Sequence, residues 1–160
     1  MRRLAPAHPV TLPHVTDELA DWSAWAPLLK AVADAPTVPG VYMARERHSG
    51  QVVYVGMAGE RSGRGLRGRL RVYLSGKAAV SGLGEAAMDR ALADADGLAN
   101  MLAEVREGSP GRTRVWATRA LTRAELEIRW ATCADKTAAV ALERQAIATL
   151  ADTGLWNRAQ

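Results

Sequence analysis

Two short runs, 38–45 and 51–56, carry valines and one tyrosine each, and side chains along them alternate between two faces. The polar stretch Arg47-His48-Ser49-Gly50 separates them, a pattern that predicts a β-hairpin. Tyr42 points away from Val41 and Met43, and Tyr54 away from Val53 and Val55. Whether the two tyrosines share a face depends on a register that the turn leaves open. A third alternating run at 125–131 sets Leu126, Ile128 and Trp130 against Glu127 and Arg129 and predicts another strand.

The remaining pattern is helical. Leu19, Trp22, Ala26 and Leu29 lie at helical spacing over 16–34, with Thr16 or Asp17 as a cap. Pro27 divides this stretch into two short helices and sits in the first turn of the second. Trp22 and Trp25 read as packing residues rather than a platform for stacking bases. Leu66, Leu70 and Leu74 form the core stripe of a helix at 66–75, and on its surface Arg69 neighbours Tyr73 four residues on. Residues 84–107 are rich in Ala and Leu and read as helical, and Ser109-Pro110-Gly111 breaks the pattern. A short helix at 112–122 would turn Trp116 and Leu121 inward. A last helix runs from about Lys136, capped near Asp135, to Leu150, and Gly154 ends it. Residues 1–15 are Pro-rich and read as a loose arm. The fold class is α/β, in the α+β sense: a small, mainly antiparallel three-stranded sheet flanked by helices. Residues 1–36 form an arm with short helices, and 37–160 form one domain with a helical insertion at about 78–124.

Composition narrows the chemistry. The 160 residues suit one domain. One cysteine, Cys133, excludes an internal disulfide, and the three histidines lack ligand spacing, which argues against zinc. No apolar run reaches the length of a membrane span, and the N-terminus does not read as a signal peptide, so a cytoplasmic protein is the default. Net charge is +4, from 21 Lys and Arg against 17 Asp and Glu. Six of those cations (Arg61, Arg64, Arg67, Arg69, Arg71 and Lys77) lie between 61 and 77 with no acid among them. The remaining 15 cations do not exceed the acids, so the positive excess is local. Such a patch supplies sequence-independent phosphate contacts, or it is a solvated helix face.

Two features carry chemistry by position. Gly63-Arg64-Gly65-Leu66-Arg67-Gly68 matches the dinucleotide-binding glycine pattern. The preceding strand ends too early, arginines crowd the turn, and no apolar strand ending in an acid follows, so that reading fails. Glu143 lies in an apolar stripe with Val140, Ile147 and Leu150. A carboxylate there pairs with an arginine, binds a hard cation, or marks a solvated stripe edge.

These pieces together resemble the GIY-YIG nuclease superfamily. Gly40-Val41-Tyr42 resembles its first motif and Tyr54-Val55-Gly56 its second. Leu66-Arg67-Gly68-Arg69-Leu70 resembles the helix bearing the family's arginine, here Arg69, with Tyr73 one turn later. Glu143 matches the metal-binding glutamate, and Trp156-Asn157 the asparagine that ends the core. The likeness covers 38–77 and 125–157. Met57 stands where relatives in excision repair often have lysine, and the insertion is more similar to the restriction-endonuclease branch.

The resemblance implies a metal-dependent endonuclease that hydrolyses phosphodiester bonds in duplex DNA. Glu143 would hold one Mg2+ or Mn2+. Tyr42 would act as base or orient the water, while Tyr54 and Tyr73 would hydrogen-bond water or phosphate. Arg69 would offer its planar fork to the scissile phosphate, and Asn157 would hold the geometry. Arg61, Arg64, Arg67, Arg71 and Lys77 would contact DNA phosphates, and a homodimer would suit a symmetric site. A non-cleaving DNA-binding module, or an enzyme of another substrate class on the same scaffold, are the alternatives.

Overall fold

The structure, a computed structural model, describes residues 14–157, without the side chain of Arg61. All but two residues of the expected N-terminal arm lie outside that range.

The hairpin forms as its alternation predicts. Strands β2 (Gly40–Glu46) and β3 (Val52–Ala58) pair antiparallel. The register sets Tyr42 opposite Gly56 and Ala44 opposite Tyr54, so the two tyrosines share a face. Strand β4 (Leu126–Thr132) pairs with the other edge of β2, with Trp130 opposite Tyr42.

The sheet has four strands rather than the expected three. The fourth, β1 (Ala26–Pro27), pairs antiparallel with β4, giving the order β1-β4-β2-β3. Proline lacks a backbone N–H and is tolerated only at a sheet edge, where β1 lies. Pro27 is therefore the residue before helix α1 (Leu28–Asp34), not part of its first turn. The earlier helix shrinks to one 3-10 turn, Asp17–Leu19. Beyond it the chain runs beside β4, where Ser23 exchanges hydrogen bonds with the Trp130 backbone at 2.8 and 3.0 Å. Pairing with the sheet has overridden the helical spacing.

Helix α2 (Gly65–Leu74) buries Leu66, Leu70 and Tyr73. The stretch expected to be helical at 84–107 forms two helices, α3 (Gly82–Leu92) and α4 (Ala95–Arg106). Asp94 breaks it, because its carboxylate accepts the Gly97 N–H at 2.8 Å as an N-cap. Helices α5 (Thr113–Arg123) and α6 (Lys136–Thr149) follow, α6 capped by Asp135 on the Ala138 N–H as expected.

Helices cover both faces of the sheet. Tyr42, Ala44, Tyr54 and Ile128 pack with residues of α1, α2, α3 and α5 in one core. Val41, Met43 and Val55 pack beneath α6, with Trp22 and Trp25 at the margin. Two motif glycines permit close approach. A Cβ on Gly40 would fall 2.2 Å from the Ala131 carbonyl oxygen, and one on Gly56 2.4 Å from the Tyr42 hydroxyl. Gly56 thus makes room for the Tyr42 ring across the ladder.

Candidate functional site

The sequence contains three tyrosines, and all three meet. Tyr42 and Tyr54 come from adjacent strands, with ring centroids 6.2 Å apart and stacked. Tyr73 comes from α2, edge-on to Tyr42 at 6.0 Å, and its hydroxyl is 2.5 Å from that of Tyr42. Tyr42 and Tyr73 have no exposed surface, and Tyr54 is 8% exposed. Burial first, then its phenol neighbours, push the Tyr42 hydroxyl well above its ordinary range against the pull of Arg69. Burial likewise pushes Tyr54 up to about 12.

Arg69 lies one helical turn before Tyr73, as the i,i+4 spacing requires, and its guanidinium carbon is 5.4 Å from the Tyr73 ring centre. Burial works against its charge, yet Tyr42 and Tyr73 outweigh it and hold the proton more firmly than usual. Its Nε is buried without a partner. Among the described ion pairs within 4.0 Å, none includes Arg69. Among the described residues, the acid that its charge reaches is Glu143, beyond ion-pair distance.

Glu143 approaches from the other side of the sheet. The buried line on α6 is Ala139, Ala146 and Leu150, while Val140, Glu143 and Ile147 are half-buried. Glu143 therefore lies at the edge of the packed face rather than in its middle. Small alanines, not the larger aliphatics, sit closest to the strands. Burial raises the Glu143 pKa, opposed by Arg69, Arg144 and a hydrogen bond from the Met57 N–H. Glu143 also adds to the upward push on Tyr54, so the carboxylate and that phenol feel one another.

Asn157 acts on the edge strand. Its Oδ1 accepts the Val55 N–H at 3.0 Å and its Nδ2 donates to the Val55 carbonyl at 2.7 Å. With Trp156 N–H on the Val53 carbonyl at 2.6 Å, this tail pairs with the free edge of β3 between Tyr54 and Gly56. Asn157 touches backbone and holds the strand that carries Tyr54.

The basic segment borders the site. Met57, Ala58, Gly59, Arg64, Gly68 and Arg69 line a cavity of about 530 Å³. Arg64 and Gly68 are shared with a second cavity of about 440 Å³, lined also by Thr37, Arg67, Arg71, Ser75 and Lys77. The two form one basic groove along α2 that ends at Arg69. Arg67 commits its Nε to the Ala35 carbonyl at 2.6 Å, whereas Arg64, Arg71 and Lys77 are exposed. The Arg61 side chain lies outside what the structure describes.

The donor set limits the metal. Among the described residues, no group of three or more His, Cys, Asp or Glu gathers around a point. A hard cation that takes one carboxylate and completes its shell with water and phosphate oxygens does fit Glu143. Among the described residues, no helix is long and apolar enough to cross a membrane.

No protein-family model, curated protein or solved structure matches the chain, so the likeness drawn above rests on these residues alone. Sequence reading brought together Tyr42, Tyr54, Arg69, Tyr73 and Glu143, and the structure gathers them. It missed Gly82 and Leu83 of the insertion, which touch the tyrosine hydroxyls. The only signal was a glycine opening a helix.

Proposed function

We propose that this protein hydrolyses DNA phosphodiester bonds with the help of one divalent cation, in the manner implied by its resemblance to GIY-YIG nucleases. One observation carries the reading. Arg69, with no acid within ion-pair distance among the described residues, lines a basic groove and stands beside the tyrosine cluster, within the electrostatic reach of the half-buried Glu143.

Each group has work suited to it. The groove cations Arg64, Arg71 and Lys77 hold flanking phosphates without reading sequence. Arg69 places two N–H donors on the scissile phosphate and offsets the charge that builds there. Glu143 would hold the Mg2+ or Mn2+, which when bound neutralises phosphate charge and supports the leaving oxygen. Burial keeps Tyr42 and Tyr54 protonated at neutral pH in the free protein. Tyr42 has no exposed surface and its hydroxyl meets that of Tyr73, so Tyr54 is the one of the two placed to orient water, and it takes the water's proton only when positive charge beside it has risen. Asn157 fixes the strand under Tyr54.

The test uses supercoiled plasmid, purified protein and Mg2+ or Mn2+, beside Glu143→Ala. Nicking by the native chain and none by the variant is expected. No nicking with any metal overturns the reading, and equal nicking by both points to a contaminant. A protein that retains plasmid without nicking it, with binding that falls steeply as salt rises, would be a DNA-binding module instead.

A further inference from the structure

The insertion brings a residue into the tyrosine site that no motif points to. Gly82 opens α3 at φ +55°. A Cβ there would lie 2.7 Å from Arg69 Nη2, 2.9 Å from the Tyr73 hydroxyl and 3.1 Å from the Tyr54 hydroxyl. Helix α2 and strand β3 thus aim three functional atoms at one missing side chain. The next residue, Leu83, is fully buried and its N–H points to the Tyr73 hydroxyl at 3.4 Å. The wall is braced from behind, because a Cβ on Gly84 would fall 2.1 Å from the Ala78 carbonyl oxygen. Outward movement of the first turn of α3 would break that packing. With the hydroxyls covered on this side, the approach left to Arg69 is the cavity at Met57 and Gly59.

We propose that the first turn of α3 is a wall of the reaction site and that Gly82 is a positioning residue. Lacking a side chain, it lets the wall touch Arg69, Tyr54 and Tyr73 and so directs the Arg69 guanidinium into the cavity. The consequence for cleavage rests on the phosphodiesterase reading, while the contact itself can be measured without DNA.

The experiment compares Gly82→Ala with Gly108→Ala. Gly108 also has a positive φ, +77°, but a Cβ there meets nothing within 4 Å. Both substitutions put an L side chain at a positive φ, and only one reaches the site. Fluorotyrosine incorporated in place of tyrosine labels Tyr42, Tyr54 and Tyr73 and no other position. Gly82→Ala should lose more thermal stability than Gly108→Ala, because its methyl also meets packed side chains. Only Gly82→Ala should displace the fluorine resonances of Tyr54 and Tyr73, and lower kcat on plasmid by about tenfold or more with KM little changed. Resonances that coincide with the native ones, or equal displacement by Gly108→Ala, overturn the proposal. If the native chain cuts no DNA, the fluorine comparison still decides the wall and the phosphodiesterase reading falls alone. If Gly82→Ala does not fold, adding Tyr73→Phe removes the hydroxyl 2.9 Å from the new methyl and should restore folding. A double variant that folds no better overturns the proposal.

Discussion

Arg69 and Arg129 are both arginines set against aromatic rings, each with a buried Nε that has no partner. They differ in what faces the charge. Arg129 is 5% exposed, lies 4.8 Å from Trp22 and 4.6 Å from Trp25, and donates to Asp17 at 2.6 Å and Thr16 at 2.6 Å. Burial lowers its pKa even against the help of Asp17. Both border a cavity, but Arg69 has phenols where Arg129 has a carboxylate. Arg129 is a clamp that ties the segment around residues 16–25 to β4. The positive charge of Arg69 remains available to an incoming anion. Burial and aromatic contact are common to both; among the described residues, what differs is a carboxylate within ion-pair distance.

Substitution separates the two most strongly. Arg69→Ala should cut plasmid cleavage by about a hundredfold or more, the usual loss for a donor aimed at developing charge. Its unfolding free energy should move by less than about 1 kcal/mol, because no acid within ion-pair distance is abandoned among the described residues. Arg129→Met should do the reverse. Removing one partner of a buried pair costs about 3–5 kcal/mol when the other is left uncompensated. Asp17 keeps 40% of its side chain exposed, which brings the expected cost to about 2 kcal/mol. Cleavage per folded molecule should stay near native. Urea unfolding and single-turnover cleavage on both variants test this. Equal behaviour of the two would erase the distinction.

The sequence made Arg69 easier to find than Arg129, for physical reasons. Arg69 and Tyr73 are neighbours by helix geometry alone. The partners of Arg129 lie more than 100 residues away in the chain, and only the pairing of the 16–27 segment with β4 brings them together. Helical spacing at Leu19, Trp22 and Ala26 concealed that pairing, and Pro27 argued against a strand except at an edge. The shared face of Tyr42 and Tyr54 followed once a register placed Gly56 opposite Tyr42. Glu143 was legible as a misplaced carboxylate, but its setting was not. Ala139 and Ala146 take the buried line because small residues allow α6 close to the strands. Gly82 was illegible, since a glycine at a helix start has no pattern that says which hydroxyls it faces.

The next effect concerns the acid that Arg69 does feel. Burial raises the Glu143 pKa in the folded chain. A carboxyl so raised contributes stability below its unfolded value, about 4.3, and loses it as pH rises through the folded value. At neutral pH the charged form therefore weakens the metal-free fold. Glu143→Gln should raise Tm slightly in chelator. Mg2+ or Mn2+ should raise Tm of the native chain by binding only the folded carboxylate, and should leave Glu143→Gln unmoved. The same shift in both proteins would mean that the ion binds elsewhere.

The smallest effect tests the clamp from its acidic side. Burial works to raise the Asp17 pKa, but hydrogen bonds from Arg129 and the His14 N–H outweigh it and leave it below the ordinary carboxylate value. The sign is then opposite to that of Glu143. Asp17 contributes stability above its unfolded pKa of about 3.9, and that contribution fades as pH falls through the lower folded value. His14, lowered first by burial and then by Arg129, adds its own loss at higher pH, beginning near its unfolded value of about 6.5. Acid titration of native stability should thus show two declines. Asp17→Asn should remove the one below about pH 4 and keep the other. Because Asp17 is partly exposed, the missing step should shrink in high salt. A low-pH decline that survives Asp17→Asn would show that Arg129 is held by its tryptophans and Thr16 alone. The clamp would then resemble Arg69 in leaving its charge uncompensated.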